Sequence, residues 1–233
     1  MVSVQELPRC FRWNGQDNPV PTRRLPRGTR LPRGFDGRLG NGETREGFDF
    51  THCLQLICAD IARRCPQLAH VDVSRLLIGM THARNRRRHG LQARLTPLRF
   101  EGGKLLRVRR GVTYCLQRYF LDEREMLYHM TFCLPRFFDQ DFQEKLVTIF
   151  HELYHIDPAF NGELRRHAGR CHMHAHSKRG YDERMATFVG DYLATRPDSA
   201  LHDALRLNWQ QLLKQHGVVR GIVVARPKVI PVA

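Results

Sequence analysis

The sequence predicts an α+β protein, with a small mixed or antiparallel sheet packed on helices, and three observations lead to this fold class. Helical periodicity marks residues 50–65, 137–156, 180–196 and 199–217. Residues 71–134, between the first two of these helices, carry β-type residues in partly alternating order. Of the 233 residues, 42% are hydrophobic, which predicts one well-buried domain plus tails, or two small domains at most.

The two ends of the chain differ from this central region. Residues 1–49 contain the tandem repeat RLPRGT and RLPRGF, and the density of Pro and Gly predicts a flexible Arg-rich arm. Residues 50–217 form the predicted folded domain. Residues 218–233 then add a C-terminal tail or an edge strand.

The first predicted helix extends from Phe50 to Cys65 and ends at Pro66. Its cysteines lack zinc-finger spacing and recur with apolar residues at helical intervals, which predicts core positions for Leu54, Ile57, Cys58, Ile61 and Cys65. The chain has seven cysteines, and its start lacks the layout of a signal peptide, so we expect reduced thiols and a cytoplasmic protein. No apolar run approaches the roughly 18 residues of a membrane span, so we expect no membrane partner.

The chain is strongly basic, with 38 Lys and Arg against 23 Asp and Glu and a net charge of +15. The segment 81–110 contains one acidic residue, Glu101, and ten basic ones: Arg84, Arg86, Arg87, Arg88, Arg94, Arg99, Lys104, Arg107, Arg109 and Arg110. We expect this basic loop and the N-terminal arm to offer a contact surface for nucleic acid. Solvated charge in a loop and a tail explains the same composition, and both interpretations stay open.

The most specific chemical signal is the segment LVTIFHELYHIDP, from Leu146 to Pro158. His151 and His155 are four residues apart in a predicted helix, so their imidazoles share one face. Two neighbouring imidazoles suit tetrahedral Zn²⁺, and Glu152 can reach a water on the metal without taking a coordination position. This is the H-E-x-x-H arrangement of zinc-dependent peptidases, and it predicts Zn²⁺ as the cofactor.

The remainder of this helix agrees with the motif. Asp141 and Glu144 have the spacing of a capping box at its start. At 100° per residue, one apolar stripe predicts the buried face, formed by Phe142, Leu146, Ile149, Phe150 and Leu153. His151 and His155 fall on roughly the opposite side, so the helix can be anchored in a core while the histidines face a cleft. The alternative is a surface helix with two solvated histidines.

A catalytic zinc needs a third protein ligand. A metzincin would continue with Gly at position 158 and His at position 161, where this chain has Pro158 and Asn161. The remaining candidates lie in the segment that follows: His167, His172, His174, His176 and Glu183. We predict that His176 binds the metal because it lies just before the next helix, with His174 as the second choice.

The segments FHELYHIDPAFNGELRRH, HAHS and YDERM resemble the small cytosolic H-E-x-x-H metallopeptidases of phages and prokaryotes, which are zincins distantly similar to the SprT-like group. The resemblance covers residues 71–196. It implies a zincin-like fold with the H-E-x-x-H helix beside an edge strand, His151 and His155 as zinc ligands, and Glu152 as general base. The third ligand does not transfer, because several histidines compete. SprT-like proteases act on proteins attached to DNA, which by analogy agrees with the basic charge.

The sequence therefore predicts a zinc metallopeptidase, a hydrolase that cleaves a protein or peptide substrate through a zinc-bound water with Glu152 as general base. We expect the strand Met126–Leu134 to lie along the cleft and to bind an extended peptide by strand addition. His129 and Tyr181 are candidates for an oxyanion donor. The alternative is a non-catalytic, basic nucleic-acid-binding protein with a structural zinc or none. A metallohydrolase that acts on another amide would share the same site residues.

Overall fold

The structure is a computed structural model of the chain, and it describes residues 11–15, 18–23, 35–36, 47–83, 90–121, 124–166, 178–224 and 226–232. It has the predicted α+β class. Its helices are α1 (Phe50–Arg64), α2 (Phe142–Tyr154), α3 (Lys178–Ala194), α4 (Asp203–Arg206) and α5 (Trp209–His216). Its strands are β1 (Phe11–Gly15), β2 (Asn18–Arg23), β3 (Phe35–Asp36), β4 (Phe48–Asp49), β5 (Leu76–His82), β6 (Ala93–Pro97), β7 (Leu106–Arg109), β8 (Val112–Leu116), β9 (Tyr119–Leu121), β10 (Arg124–Met126), β11 (Tyr128–Leu134), β12 (Val219–Arg220) and β13 (Val229–Val232).

The central sheet is mixed and has the strand order β5-β11-β6. Strand β11 runs parallel to β5 and antiparallel to β6, so it is paired on both sides. The prediction that this segment binds a peptide by strand addition is therefore wrong, because its backbone groups already form ladder hydrogen bonds. Burial of nearly every side chain along β11 is typical of such an inner strand. In this three-stranded sheet, β5 and β6 are the two edge strands, one on either side of β11.

The other described strands form small sheets with the orders β10-β9-β1-β2, β3-β12-β4 and β13-β8-β7. Strands β1 to β4 lie in the segment 1–49, and β12 and β13 lie in the segment 218–233. No helix of the described residues has the length and apolar character that crossing a membrane requires.

The main hydrophobic core lies between one face of the central sheet and helices α1 and α2. Tyr128, Met130, Phe132 and Leu134 alternate into this core, as the sequence pattern predicts. The alternation reverses before β11, where Leu127 joins the main core and Met126 a smaller cluster. Leu127 lies between two strands that belong to different sheets, and its N–H donates to the carbonyl of Arg75 instead of continuing a ladder.

Helix α1 confirms the first predicted helix and its core cysteines. Cys58 and Cys65 are buried, and burial raises the pKa of both thiols. Asp49 caps the start of the helix, and its side chain accepts the N–H of His52.

The predicted helix over residues 199–217 is interrupted. A 3₁₀ turn and α4 precede α5, which begins after Asn208. The side chain of Asn208 accepts the N–H of Gln211, and the side chain of Gln211 accepts the N–H of Asn208, so this capping box starts a new helix.

Candidate metal centre

Helix α2 carries the H-E-x-x-H segment, and its start has the predicted capping box. Asp141 accepts the N–H of Glu144 at 2.7 Å, and Glu144 accepts the N–H of Asp141 at 3.0 Å. The predicted apolar stripe is confirmed, because Phe142 is partly buried and the four residues of the stripe that follow it are fully buried: Leu146, Ile149, Phe150 and Leu153. The core therefore fixes the rotation of α2 and the direction in which its histidines project.

A buried lysine gives α2 a second anchor. The ammonium of Lys145 donates to the carbonyl of Leu205 at 3.0 Å and to that of Leu207 at 2.8 Å. Burial lowers the pKa of Lys145 to about 8, whereas the acidic groups of Asp139, Asp141 and Glu144 act in the opposite direction. The two hydrogen bonds tie α2 to the end of α4.

The two motif histidines lie side by side at the end of α2. The ring centroids of His151 and His155 are 4.7 Å apart, with 82° between the ring planes. His151 is half-buried. His155, the residue that caps the end of the helix, is 9% exposed. Imidazole nitrogens are donors of the kind that Zn²⁺ prefers, and these two rings are adjacent.

The carboxylate between them is held at the edge of the central sheet. Glu152 is 7% exposed, and its Oε2 accepts the backbone N–H of Leu95 at 2.6 Å. Leu95 lies opposite Met130 in the β6–β11 ladder, and its N–H points away from β11 towards α2. The general-base candidate is thus fixed by a backbone amide of the edge strand that adjoins its helix.

The electrostatic setting of Glu152 suits proton transfer near neutral pH. Burial raises the pKa of Glu152 to about 7, against the opposing effects of the Leu95 N–H and the positive charge of Arg94. A general base works best when its pKa is close to the working pH. A buried carboxylate with such a raised pKa is also typical of functional sites.

After α2, the chain folds back and contacts the C-terminal end of this helix. The N–H of Arg165 donates to the carbonyl of His155 at 2.8 Å, and its guanidinium carbon lies 4.1 Å from the Tyr154 ring centroid. At the turn, Gly162 has φ +91°, and a Cβ there would lie 2.5 Å from Cγ of Arg99. The Gly162 N–H also donates to the hydroxyl of Tyr128 at 3.1 Å. These contacts hold Arg165 next to His155.

The third-ligand candidates are mostly outside the described residues. This holds for His167, His172, His174 and His176, and the side chain of Tyr181 is not described either. Glu183 is described and is exposed on α3. In the described part of the chain, no three His, Cys, Asp or Glu side chains form a group that could hold a metal ion. The assignment of His176 as third ligand stays a prediction.

His129 does not belong to this site, contrary to the expectation that it offers an oxyanion donor. It lies on the face of β11 opposite to the main core, and only 2% of the residue is exposed. Its Nε2 is 3.0 Å from Oγ1 of Thr131, and burial lowers its pKa to about 4. Tyr154 packs against Phe188 of α3, with ring centroids 5.6 Å apart and 52° between the ring planes.

The segment 81–110, predicted as a basic loop, contains the strands β6 and β7. Some of its charge is used internally. Arg99 is buried, and its Nη2 lies 2.6 Å from Oε2 of Glu125. Arg107 places its guanidinium carbon 4.7 Å from the Phe100 ring centroid. Residues 84–89 lie outside the described residues.

Sequence reasoning did not identify two groups that shape the site. One is the backbone amide of Leu95, which has no side-chain signal and is found only when the strand register is known. The other is Lys145, which has the appearance of a surface lysine in the sequence. It lies three residues after Phe142 and four before Ile149, which puts it at the margin of the buried stripe, and this spacing is the hint that the pattern offers.

Comparison of the chain with protein-family models, with curated proteins and with solved structures gives no match.

Proposed function

We propose that this chain is a zinc-dependent metallopeptidase of zincin-like fold, in which Glu152 is the general base. The single observation that carries the proposal is the arrangement at the end of α2, where His151 and His155 are adjacent and Glu152 is bound to the edge strand β6. A helix beside an edge strand that is antiparallel to its neighbour supports the zincin-like fold.

In this proposal, His151 and His155 hold the metal together with a third ligand, for which His176 is our choice. When bound there, Zn²⁺ would polarise the scissile carbonyl and lower the pKa of a water molecule from roughly 15.7 to about 7. Glu152 accepts a proton from the attacking water and returns it to the leaving amine. Acid–base catalysis by a positioned group of this kind contributes about 10²–10⁴-fold to the rate.

The open side of β6 offers the backbone groups that an extended substrate needs. Among the described strands, β6 pairs only with β11. Apart from the Leu95 N–H, which Glu152 accepts, its other side can receive a peptide strand next to Glu152. The substrate proposed here is accordingly an extended segment of a protein or peptide.

We also propose that the enzyme acts in the cytoplasm. The cysteines among the described residues are free thiols, namely Cys53, Cys58, Cys65, Cys115 and Cys133. A reducing compartment keeps thiols in this state.

The test combines metal analysis with a cleavage assay on an unfolded protein substrate. Wild-type protein should contain one zinc per chain and cleave the substrate, and Glu152→Gln should keep the zinc and lose at least about 10²-fold in rate. Glu163→Gln is the matched control, because Oε2 of Glu163 also accepts a backbone N–H, that of Gly102, at 2.6 Å. This control should cleave as the wild type does.

Two results would refute the proposal. One is wild-type protein that takes up no zinc when zinc is supplied. The other is a Glu152→Gln variant that cleaves as fast as the Glu163→Gln control. Salt-dependent nucleic-acid binding without cleavage would instead support the non-catalytic alternative.

A further inference from the structure

A cavity of about 540 Å³ lies on the face of the central sheet opposite to the main core. Strands β5, β6 and β11 form its floor, and the turn after β11 and the segment around residue 226 form its walls. We call it the back-face cavity, and the residues that characterise it are Thr81, Arg94, Thr96, Thr131, Arg136 and Arg226. It lies on the other side of the sheet from α2 and shares none of the proposed zinc ligands.

The back-face cavity collects positive charge. Arg94 comes from β6, Arg136 from the turn after β11, and Arg226 from the C-terminal segment. The described residues that line the cavity include no Asp or Glu. Burial raises the pKa of the Cys133 thiol on the floor, the charges of Arg136 and Arg94 lower it, and the carboxylate of Glu152 raises it, so the two guanidinium groups act on the cavity floor against one carboxylate behind it. Positive charge in a concave, protein-walled site attracts anions more strongly than the same charge on a flat surface.

Three hydroxyl groups accompany the guanidinium groups, one from each strand of the floor. Thr131 of β11 lies opposite Arg94 of β6, Thr96 of β6 lies opposite His129, and Thr81 of β5 lies opposite Cys133. Guanidinium N–H groups and threonine hydroxyls are hydrogen-bond donors, and the planar guanidinium matches phosphate oxygens in pairs. The cavity is therefore rich in donors suited to a tetrahedral oxyanion.

Two of these polar groups are held in place by contacts within the protein. Arg136 is 8% exposed, its Nη1 donates to the carbonyl of Leu91 at 2.8 Å, and its guanidinium lies against Gly90, where a Cβ would come within 2.6 Å of Nη1. Oγ1 of Thr131 is fixed at 3.0 Å from Nε2 of His129. Groups that are ordered in advance lose less conformational entropy on binding.

We propose that the back-face cavity binds a phosphate-bearing ligand through Arg94, Arg136 and Arg226. Two sources share this chemistry, a free nucleotide and the phosphodiester backbone of a single-stranded nucleic acid. The volume lies in the range of about 300–1,000 Å³ that is usual for small-molecule sites, which is far more than a bare phosphate fills. Leu91 and Val224 line part of the remaining wall and offer apolar contact for a base or sugar. The proposal does not depend on the zinc site or on peptidase activity.

The test uses the full chain with three probes: inorganic phosphate, AMP and fluorescently labelled oligo(dT). Arg94→Gln/Arg226→Gln removes two of the three cationic groups, and both side chains are exposed, so the variant should fold normally. Arg109→Gln/Arg124→Gln is the matched control, since it removes the same net charge from exposed positions outside the cavity. Calorimetry gives the affinity for phosphate and AMP, and anisotropy gives the affinity for oligo(dT).

We expect saturable binding of at least one probe by the wild type. The affinity should fall by about tenfold or more in the cavity variant and stay near the wild-type value in the control. Saturable binding of AMP or phosphate would identify a small ligand as the source, and binding of oligo(dT) alone would identify a nucleic-acid backbone. Equal losses in the two double variants, or no saturable binding of any probe by the wild type, would overturn the proposal.

Discussion

The backbone N–H of Leu95 donates to the carboxylate of Glu152 at 2.6 Å and joins the edge strand β6 to the helix α2. The hydrogen bond lowers the pKa of Glu152, whereas burial of the carboxyl raises it to about 7. A single backbone amide thus takes part in setting the protonation state of the proposed general base at neutral pH.

Replacing Leu95 by proline tests this link. Proline removes the N–H that Glu152 accepts, and at an edge strand it leaves the ladder intact, because the Leu95 N–H does not point to β11. We expect the pKa of Glu152 to rise further, which moves the acid limb of the rate profile to higher pH. NMR titration of ¹³C-labelled Glu in metal-free protein measures the shift directly. Leu95→Ala is the control, since it also loses the buried leucine side chain and keeps the amide; equal pKa values in the two variants would contradict the role of the amide.

The third zinc ligand can be found by measuring the metal content of single alanine variants. Changing a residue outside the ligand shell typically weakens metal binding by about 10–100-fold. We expect a larger loss of zinc affinity in each of the ligand variants His151→Ala, His155→Ala and His176→Ala. Alanine at His167, His172, His174 or Glu183 should have smaller effects. Competition with a chelator of known affinity gives the values. A His174→Ala or Glu183→Ala protein without zinc, beside a His176→Ala protein that retains it, would reassign the ligand.

Lys145 should contribute to the stability of the fold through its two carbonyl contacts. Lys145→Met keeps much of the side-chain volume and removes the donor for the carbonyls of Leu205 and Leu207. We expect the free energy of unfolding to fall by about 1–3 kcal/mol, since buried acceptors lose their partner. Urea denaturation measures the change. Lys214→Met, at an exposed position of α5, should stay within about 0.5 kcal/mol of the wild type, and a Lys145→Met protein as stable as this control would show that the contacts add nothing.

His129 predicts a pH dependence of stability. Burial lowers its pKa from 6.5 to about 4 in the folded state, so between these values the unfolded chain binds more protons than the folded one. The contribution of His129 to the free energy of unfolding is fully present above pH 6.5 and is lost as the pH falls towards 4. This linkage is worth up to about 3 kcal/mol. His129→Gln removes the titrating group, so its unfolding free energy should fall less steeply than that of the wild type over this range. Parallel curves for the two proteins would mean that His129 titrates normally.

Local sequence patterns predicted the helices α1, α2 and α3 and the buried face of α2, whereas the helix predicted over residues 199–217 is interrupted. The 3.6-residue period placed Leu146, Ile149, Phe150 and Leu153 in the core, and the spacing of Asp141 and Glu144 predicted the capping box. Both features depend on residues within a few positions of each other, so helix geometry alone determines them. The adjacency of the His151 and His155 rings follows from the same geometry.

The roles of the strands could not be predicted in the same way. The period-two pattern of residues 128–134 is the same for an inner strand and for an edge strand, and the sequence interpretation chose the wrong one. Pairing with β5 and β6 decides the matter, and these strands are distant in sequence. The alternation of buried faces reverses at Met126 and Leu127 because the chain passes there from one sheet to another.

By itself, the sequence determined the chemistry that the chain can offer, which is two imidazoles and a carboxylate on one helix and a large excess of arginine. Only the tertiary structure decided where these groups meet: Glu152 against the amide of Leu95, and Arg94, Arg136 and Arg226 around one cavity behind the sheet. The physical reason is that side-chain periodicity is fixed over one or two helical turns, whereas strand pairing and burial depend on contacts between residues far apart in the chain.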